Sequence, residues 1–289
     1  MWVLLVLFYG IAKGFRDVIK KKALTKNTVM EVLFVYTFIT FVMCLPDVAN
    51  ATGIPGRYYF LIAIKSFIIF IAWICSFKAL DNLPISVYGV IDLSRIIFST
   101  LFGVFVLGEG LTGNGIAGLF IVIIGLLSLK QYPVIAARIK GHEVIQKENI
   151  KTKYVVMTLV SCIFNAMSGC LDKIYMKDLT SSQLQFWYMF FLVIFYGLYF
   201  LIKRIKISPS IFKNGWIWGM SVLFFLSDRA LFIANSYKDS KVTVMTLIKQ
   251  SACIVSIFAG KYIFKEKNTG YKLVCALIIV AGIVLACIK

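Results

Sequence analysis

The chain has 289 residues, of which 60% are hydrophobic and 15% charged, and its net charge is +18. Ordinary soluble domains carry about 25% charged residues. With a mean hydropathy of +0.88, the composition excludes a sizeable soluble domain and indicates a multi-pass membrane protein. Nor does the charge indicate nucleic acid, because Lys and Arg fall in breaks between apolar stretches, where they set topology and meet anionic headgroups.

About 20 apolar residues cross a bilayer as a helix. Ten such stretches follow in chain order, at 2–20, 28–46, 57–80, 84–107, 113–130, 153–177, 181–202, 213–236, 241–264 and 270–288. The first lacks a basic n-region and a small-residue cleavage site, so it reads as a helix rather than a signal peptide. Pro46, Pro55, Pro84 and Pro209 stand at or near the breaks, where a missing N–H is least disruptive. Residues 131–152 form the longest polar stretch and read as a linker. All seven cysteines lie in apolar segments and none forms CxxC, so they read as buried thiols. The single histidine, His142, lies in the linker. No metal and no cofactor is expected.

Residues 87–128 recur at 244–285 with a constant offset of 157 and no gap. The informative identities are Ser94/Ser251, Ser99/Ser256, Gly103/Gly260, Glu109/Glu266, Thr112/Thr269, Gly113/Gly270 and Gly125/Gly282. The N-terminal parts align at an offset of 155, through Gly14/Gly169, Asp17/Asp172, Lys22/Lys177 and Thr25/Thr180. The expected organisation is a five-helix repeat at 1–130, the linker at 131–152 and a second five-helix repeat at 153–289. Five is odd, so the second copy enters the bilayer upside down. The expected fold is therefore an all-α polytopic membrane protein with ten transmembrane helices as two inverted repeats, the layout of a secondary transporter.

Loop charge sets the orientation. The side holding the loops after the odd-numbered helices carries 17 Lys and Arg, and the other carries 6. The first side is expected to be cytoplasmic, with both termini outside.

Ionisable residues deep in helices point to a cavity. A charge at the bilayer centre costs at least about 2.5 kcal/mol on insertion scales, so such groups pair or face water and substrate. Asp92 lies roughly 12 Å into the fourth helix at 1.5 Å per residue, Lys13 at a similar depth in the first, and Arg95 one turn from Asp92. Asp92 is expected to pair with either. In the second half, Asp228 and Lys249 lie at matching depths and are expected to pair, with Arg229 beside them. The repeat maps Asp92 onto Lys249, so equivalent central positions carry opposite charge. Lys65 has no evident acidic partner and reads either as a cavity cation or as a side chain snorkelling to the interface. Lys13, Lys65, Arg95, Arg229 and Lys249 against Asp92 and Asp228 leave a surplus of three positives, which favours a carboxylate- or phosphate-bearing substrate. These pairs either hold helices in register or exchange partners with substrate or proton. Arg16, Asp17, Asp172 and Lys173 read as interfacial. Glu109 and Glu266 read as gate or loop-anchoring residues. Tyr9, Trp73, Phe77, Tyr88, Asn165, Ser227, Asn235 and Gln250 are further candidate cavity residues.

Leu107-Gly108-Glu109 at the end of the fourth helix, the Gly-rich fifth (Gly113, Gly115, Gly118, Gly125), their counterparts Phe264-Lys265-Glu266 and Gly282, and the segments Val90-Ile91-Asp92 and Thr246-Leu247-Ile248-Lys249-Gln250-Ser251 resemble the EamA domain of the drug/metabolite transporter superfamily. The family's usual proline before Ile91 and Ile248 is replaced by Val90 and Leu247, which argues against a proline pivot, and its usual cytoplasmic termini conflict with the charge count. The resemblance implies a cavity lined by helices 1, 3, 4, 6, 8 and 9, with helices 5 and 10 peripheral. It also implies alternating access and transport of amino acids, drugs or other small metabolites across the cell membrane; together with the positive surplus, the expected function is export of an amino acid or other zwitterionic or anionic compound. Import, or flipping of a lipid-linked headgroup, are the alternatives within transport. The expected partners are a small-molecule substrate, membrane lipids and protons. A monomer is sufficient and a dimer is not excluded. An enzyme is not expected, since HExxH, GxSxG and phosphate-cradling loops are missing. A non-transporting sensor would need an effector-binding soluble region, and 131–152 is too short to fold alone.

Overall fold

The computed structural model describes the chain except residues 26, 84–87, 89–90, 93, 111, 140–150, 206, 253–254, 256–257, 260–261, 264–268 and 288–289, and the side chains of 126, 129–139, 269–273, 276 and 287. Among the described residues the fold is entirely helical. We number the principal helices α1 (Trp2–Leu24), α2 (Val29–Cys44), α3 (Gly56–Asn82), α4 (Ser94–Phe105), α5 (Gly113–Ile139), α6 (Thr152–Tyr175), α7 (Ser181–Lys203), α8 (Gly215–Ser236), α9 (Val242–Lys249) and α10 (Thr269–Cys287). Helix α2 runs on through a 3-10 turn at Leu45–Asp47 and one further turn at Val48–Ala51. Five segments are long and apolar enough to cross a membrane by composition alone: Val29–Ala51, Gly56–Asn82, Thr152–Tyr175, Ser181–Lys203 and Gly215–Ser236. Helix α1 carries Lys13, Arg16 and Asp17 within its span, so its charges rather than its length set it apart.

The ends differ from expectation in two places. Helix α5 continues to Ile139, so residues 131–139 of the expected linker are helical. Helix α9 ends at Lys249 and gives way to a turn at Gln250–Ser251, with no proline present. Capping chemistry starts the second helix of each half in the same way. Thr28 with Glu31, and Thr180 with Gln183, each form a reciprocal capping box, which satisfies orphan donors of the first turn. Among the described residues the free cysteines are Cys44, Cys75, Cys162, Cys170 and Cys275. Cys253 and His142 lie outside the described residues, as does the side chain of Cys287.

Helix pairing has an internal symmetry. Helix α1 packs on α8 and α3 on α6, α4 on α6 and α1 on α9, and α3 on α7 and α2 on α8, while α5 pairs with α10. Adding or subtracting five converts each pairing into its counterpart. The α5–α10 pair meets at glycines. A Cβ at Gly118 would lie 2.6 Å from the Gly282 carbonyl, and one at Gly282 would lie 2.9 Å from that of Gly118, so neither position has room for a side chain. Small residues let membrane helices approach and gain dispersion contact where the hydrophobic effect gives no drive. The main core is a cluster of apolar and aromatic side chains from α2, α3, α6, α7 and α8, including Tyr36, Ile62, Leu192 and Phe232. Against this block α1, α4 and α9 place charges such as Lys13, Arg95 and Lys249.

Candidate functional site

Two adjoining cavities lie inside the bundle, each about 80 Å³, room for several waters. Tyr9, Lys13, Trp73, Arg95, Asn165 and Phe224 line both. The first extends toward the end bearing the linker, past Asp17, Lys20, Phe77 and Tyr88. The second extends toward the end bearing the termini, past Lys65, Asp172, Val242 and Thr246. Together they are lined by the bases Lys13, Arg16, Lys20, Lys65, Arg95 and Lys249 and the acids Asp17, Asp92, Asp172 and Asp228.

The charges of the first cavity form a continuous chain. Arg95 donates to Asp92 at 2.7 Å, Lys13 lies 3.7 Å from Asp92 and 3.5 Å from Asp17, and Lys20 lies 3.1 Å from Asp17. The chain ties α1 to the segment around Asp92, and Cys162 from α6 places its Sγ 3.7 Å from the Asp92 carboxylate. Arg16 is only 7% exposed. Its guanidinium lies over the Phe224 ring at 4.8 Å and the Tyr9 ring at 5.3 Å, so ring quadrupoles replace part of its lost hydration. The structure thus corrects the expectation that Arg16 and Asp17 are interfacial, since both line the cavity.

In the second cavity Lys65 sits 3.0 Å from Asp172, and the Lys65 side chain is 1% exposed. The ammonium also stands 3.6 Å from the centroid of the Tyr188 ring. Lys65 therefore has an acidic partner and does not snorkel, and Asp172 is buried at 6% exposure rather than interfacial. Asp172 is the repeat equivalent of Asp17, and both carboxylates line the cavities. The expected Asp228–Lys249 ion pair does not form. Both residues line the cavity, but among the described residues neither makes a hydrogen bond or ion pair, and Lys249 instead lies 5.4 Å from the Tyr9 ring. Gln250, at the turn that ends α9, lines the same space. That turn lies where α1 comes closest, since a Cβ at Gly14 would stand 2.7 Å from the Ala252 carbonyl.

Arg229 does not line either cavity, contrary to expectation. It points the other way, donating to Asp47 at 2.6 Å, Gln185 at 2.5 Å and Ser182 at 3.0 Å, and so braces α8 against α7 and the turn after α2. One residue of difference on a helix rotates the side chain by about 100°, which separates Arg229 from Asp228. Phe77 lines the first cavity. Ser227 instead donates to the Phe224 carbonyl at 3.3 Å, and the Asn235 carbonyl accepts from Lys173 at 3.0 Å.

At the terminus-bearing end, beside the second cavity, the loop after α4 is bound to the start of α9. Glu109 accepts from the backbone N–H of Val242 at 2.5 Å and of Thr243 at 3.1 Å, and from the Thr243 hydroxyl. It thereby caps the first turn of α9, where unpaired N–H groups and the helix dipole favour a carboxylate. Lys241 donates to the Gly110 carbonyl at 2.6 Å, and Lys173 to Tyr237 and Ser240 at 2.5 Å each. Glu109 thus anchors the loop after α4 onto α9. Its counterpart Glu266 lies outside the described residues.

A family model described as the EamA-like transporter family matches residues 1–130 and 152–288. No curated protein matches the chain. Among solved structures, one titled only "Crystal structure of protein" is similar to this chain at 14% identity, with a TM-score of 0.71, over 99% of this chain and 96% of that one. At that identity the likeness concerns the fold alone.

Proposed function

We propose that this chain, which belongs to the EamA-like transporter family, is a secondary active transporter that moves a small zwitterionic or anionic metabolite, an amino acid best of all, by alternating access. The observation that carries the reading is the pair of stacked cavities, buried in the bundle and walled by both signs of charge and by aromatic rings. A bilayer does not tolerate that many ionisable groups unless they are paired or meet water and cargo. The six bases and four acids leave a positive excess that suits a carboxylate. Lys249 would hold that carboxylate, Asp228 an ammonium group, and Trp73 and Phe224 the apolar remainder.

In this reading the repeats are 1–130 and 153–289, inverted about an axis in the membrane plane. The gapless sequence repeat and the interchange of helix pairings support this. The linker-bearing end faces the cytoplasm, on the Lys and Arg count. The contacts of Glu109, Lys173 and Lys241 at the opposite end suit a state that loads cargo from the cytoplasm, and in this reading the direction is export across the cell membrane. One chain holds the whole pathway.

The test is counterflow in proteoliposomes preloaded in turn with leucine, glutamate, lysine or phenylalanine. The expected result is uptake of the matching labelled amino acid, reduced at least tenfold in Lys249→Ala. Uptake of none of them by the wild type, with cationic drugs instead exchanged, would remove the zwitterion assignment.

A further inference from the structure

Of the four carboxylates that line the cavities, three are committed to cations of the protein. Asp17 is held by Lys20 at 3.1 Å, Asp92 by Arg95 at 2.7 Å and Asp172 by Lys65 at 3.0 Å. Asp228 is the exception. It is 7% exposed, faces the second cavity, and among the described residues makes no hydrogen bond or ion pair.

The titratable groups that interact electrostatically with Asp228 come from six helices: Arg16 on α1, Tyr36 and Cys44 on α2, Lys65 on α3, Asp172 on α6, Tyr188 on α7 and Lys249 on α9. None of the cations among them pairs with Asp228. Lys65 holds Asp172 and covers Tyr188, Arg16 lies over Phe224, and Lys249 lies toward Tyr9. Asp172 is a like charge. A buried carboxylate in this setting is stabilised by a proton or by a cationic group brought in by cargo.

We propose that Asp228 is the coupling site of the transporter, holding a proton when the cavity is empty and releasing it when an ammonium group of the cargo takes its place. The inference rests on the transporter reading above and adds the coupling ion and its residue. The balance is simple: the Asp228 carboxylic acid loses its proton to cavity water on the side then open, and the resulting carboxylate pairs with the incoming cation. When the cavity opens to the other side, cargo leaves as a proton binds. Cargo and proton therefore cross in opposite directions, and export is driven by inward proton flow.

Infrared spectroscopy of the purified protein in lipid tests this without knowing the cargo. A protonated carboxylic acid has a carbonyl stretch separate from the carboxylate bands. The wild type is expected to show such a band at neutral pH, fading as the pH is raised. Asp228→Asn should lack it, Asp92→Asn should keep it, and Asp228→Glu should keep it with a displaced titration midpoint. The glutamate variant preserves the test if the asparagine variant misfolds. No band in the wild type, or a band that survives in Asp228→Asn and does not move in Asp228→Glu, overturns the proposal. Counterflow in the wild type is read separately: its failure strikes the transporter reading, whereas its success with an unchanged band in the Asp228 variants strikes only the coupling site.

Discussion

The two cavities share six lining residues but treat charge in opposite ways. The first is cross-linked: Lys20, Asp17, Lys13, Asp92 and Arg95 form one chain of contacts between 2.7 and 3.7 Å. The second holds one tight pair, Lys65–Asp172, and two ionisable groups, Asp228 and Lys249, without an ion partner among the described residues. Paired charges at this depth fix helix positions, and removing one partner strands the other in a medium that solvates it poorly. Unpaired charges contribute little to the resting fold and stay available to a ligand. The repeat makes the contrast sharper, because Asp92 and Lys249 occupy equivalent positions, one saturated by its neighbours and the other free to bind.

The contrast can be strained most by breaking the tight pair of the second cavity. Lys65→Ala leaves Asp172 buried and unpaired and is expected to lose about 3–5 kcal/mol, seen as a large drop in Tm in detergent. The double variant Lys65→Met/Asp172→Leu should recover most of it, and no recovery would mean that the pair does more than hold α3 to α6. Next in size is Asp92→Asn in the first cavity, which weakens two contacts to partly exposed partners and is expected to lose about 1–3 kcal/mol. Glu109→Gln keeps the cap's shape but removes its charge, for roughly 1 kcal/mol. Its informative readout is faster solvent access to the second cavity, measured by labelling a cysteine placed at Thr246 in a cysteine-free background. The smallest stability effect belongs to Lys249→Ala, about 1 kcal/mol or less, since no ion pair is lost and only the approach to the Tyr9 ring goes.

Much of this was legible in the sequence. Depth arithmetic identified Lys13, Asp92 and Arg95 as potential partners, because both the i, i+3 spacing and the distance from the helix ends are local quantities. Tyr9, Trp73, Tyr88, Asn165 and Gln250 also line the cavities as expected. The failures share one cause: azimuth and distant pairing are not local. Arg229 lies one residue from Asp228 yet faces a different neighbour, and Lys65 meets Asp172 only because α3 packs on α6. Asp172 was placed at the interface by counting from the helix end, as was its repeat equivalent Asp17, and both line the cavities. The helical extension of 131–139 was missed because polarity, not backbone preference, drew that boundary.

The central claim is that the second cavity binds cargo through groups that the resting fold leaves unpaired. Its most direct test is to measure Tm and amino-acid counterflow side by side in Lys249→Ala. The account predicts a Tm within a few degrees of wild type together with at least tenfold slower exchange. Unchanged exchange at unchanged Tm would contradict it, as would a collapse of Tm that shows Lys249 to be a structural charge after all.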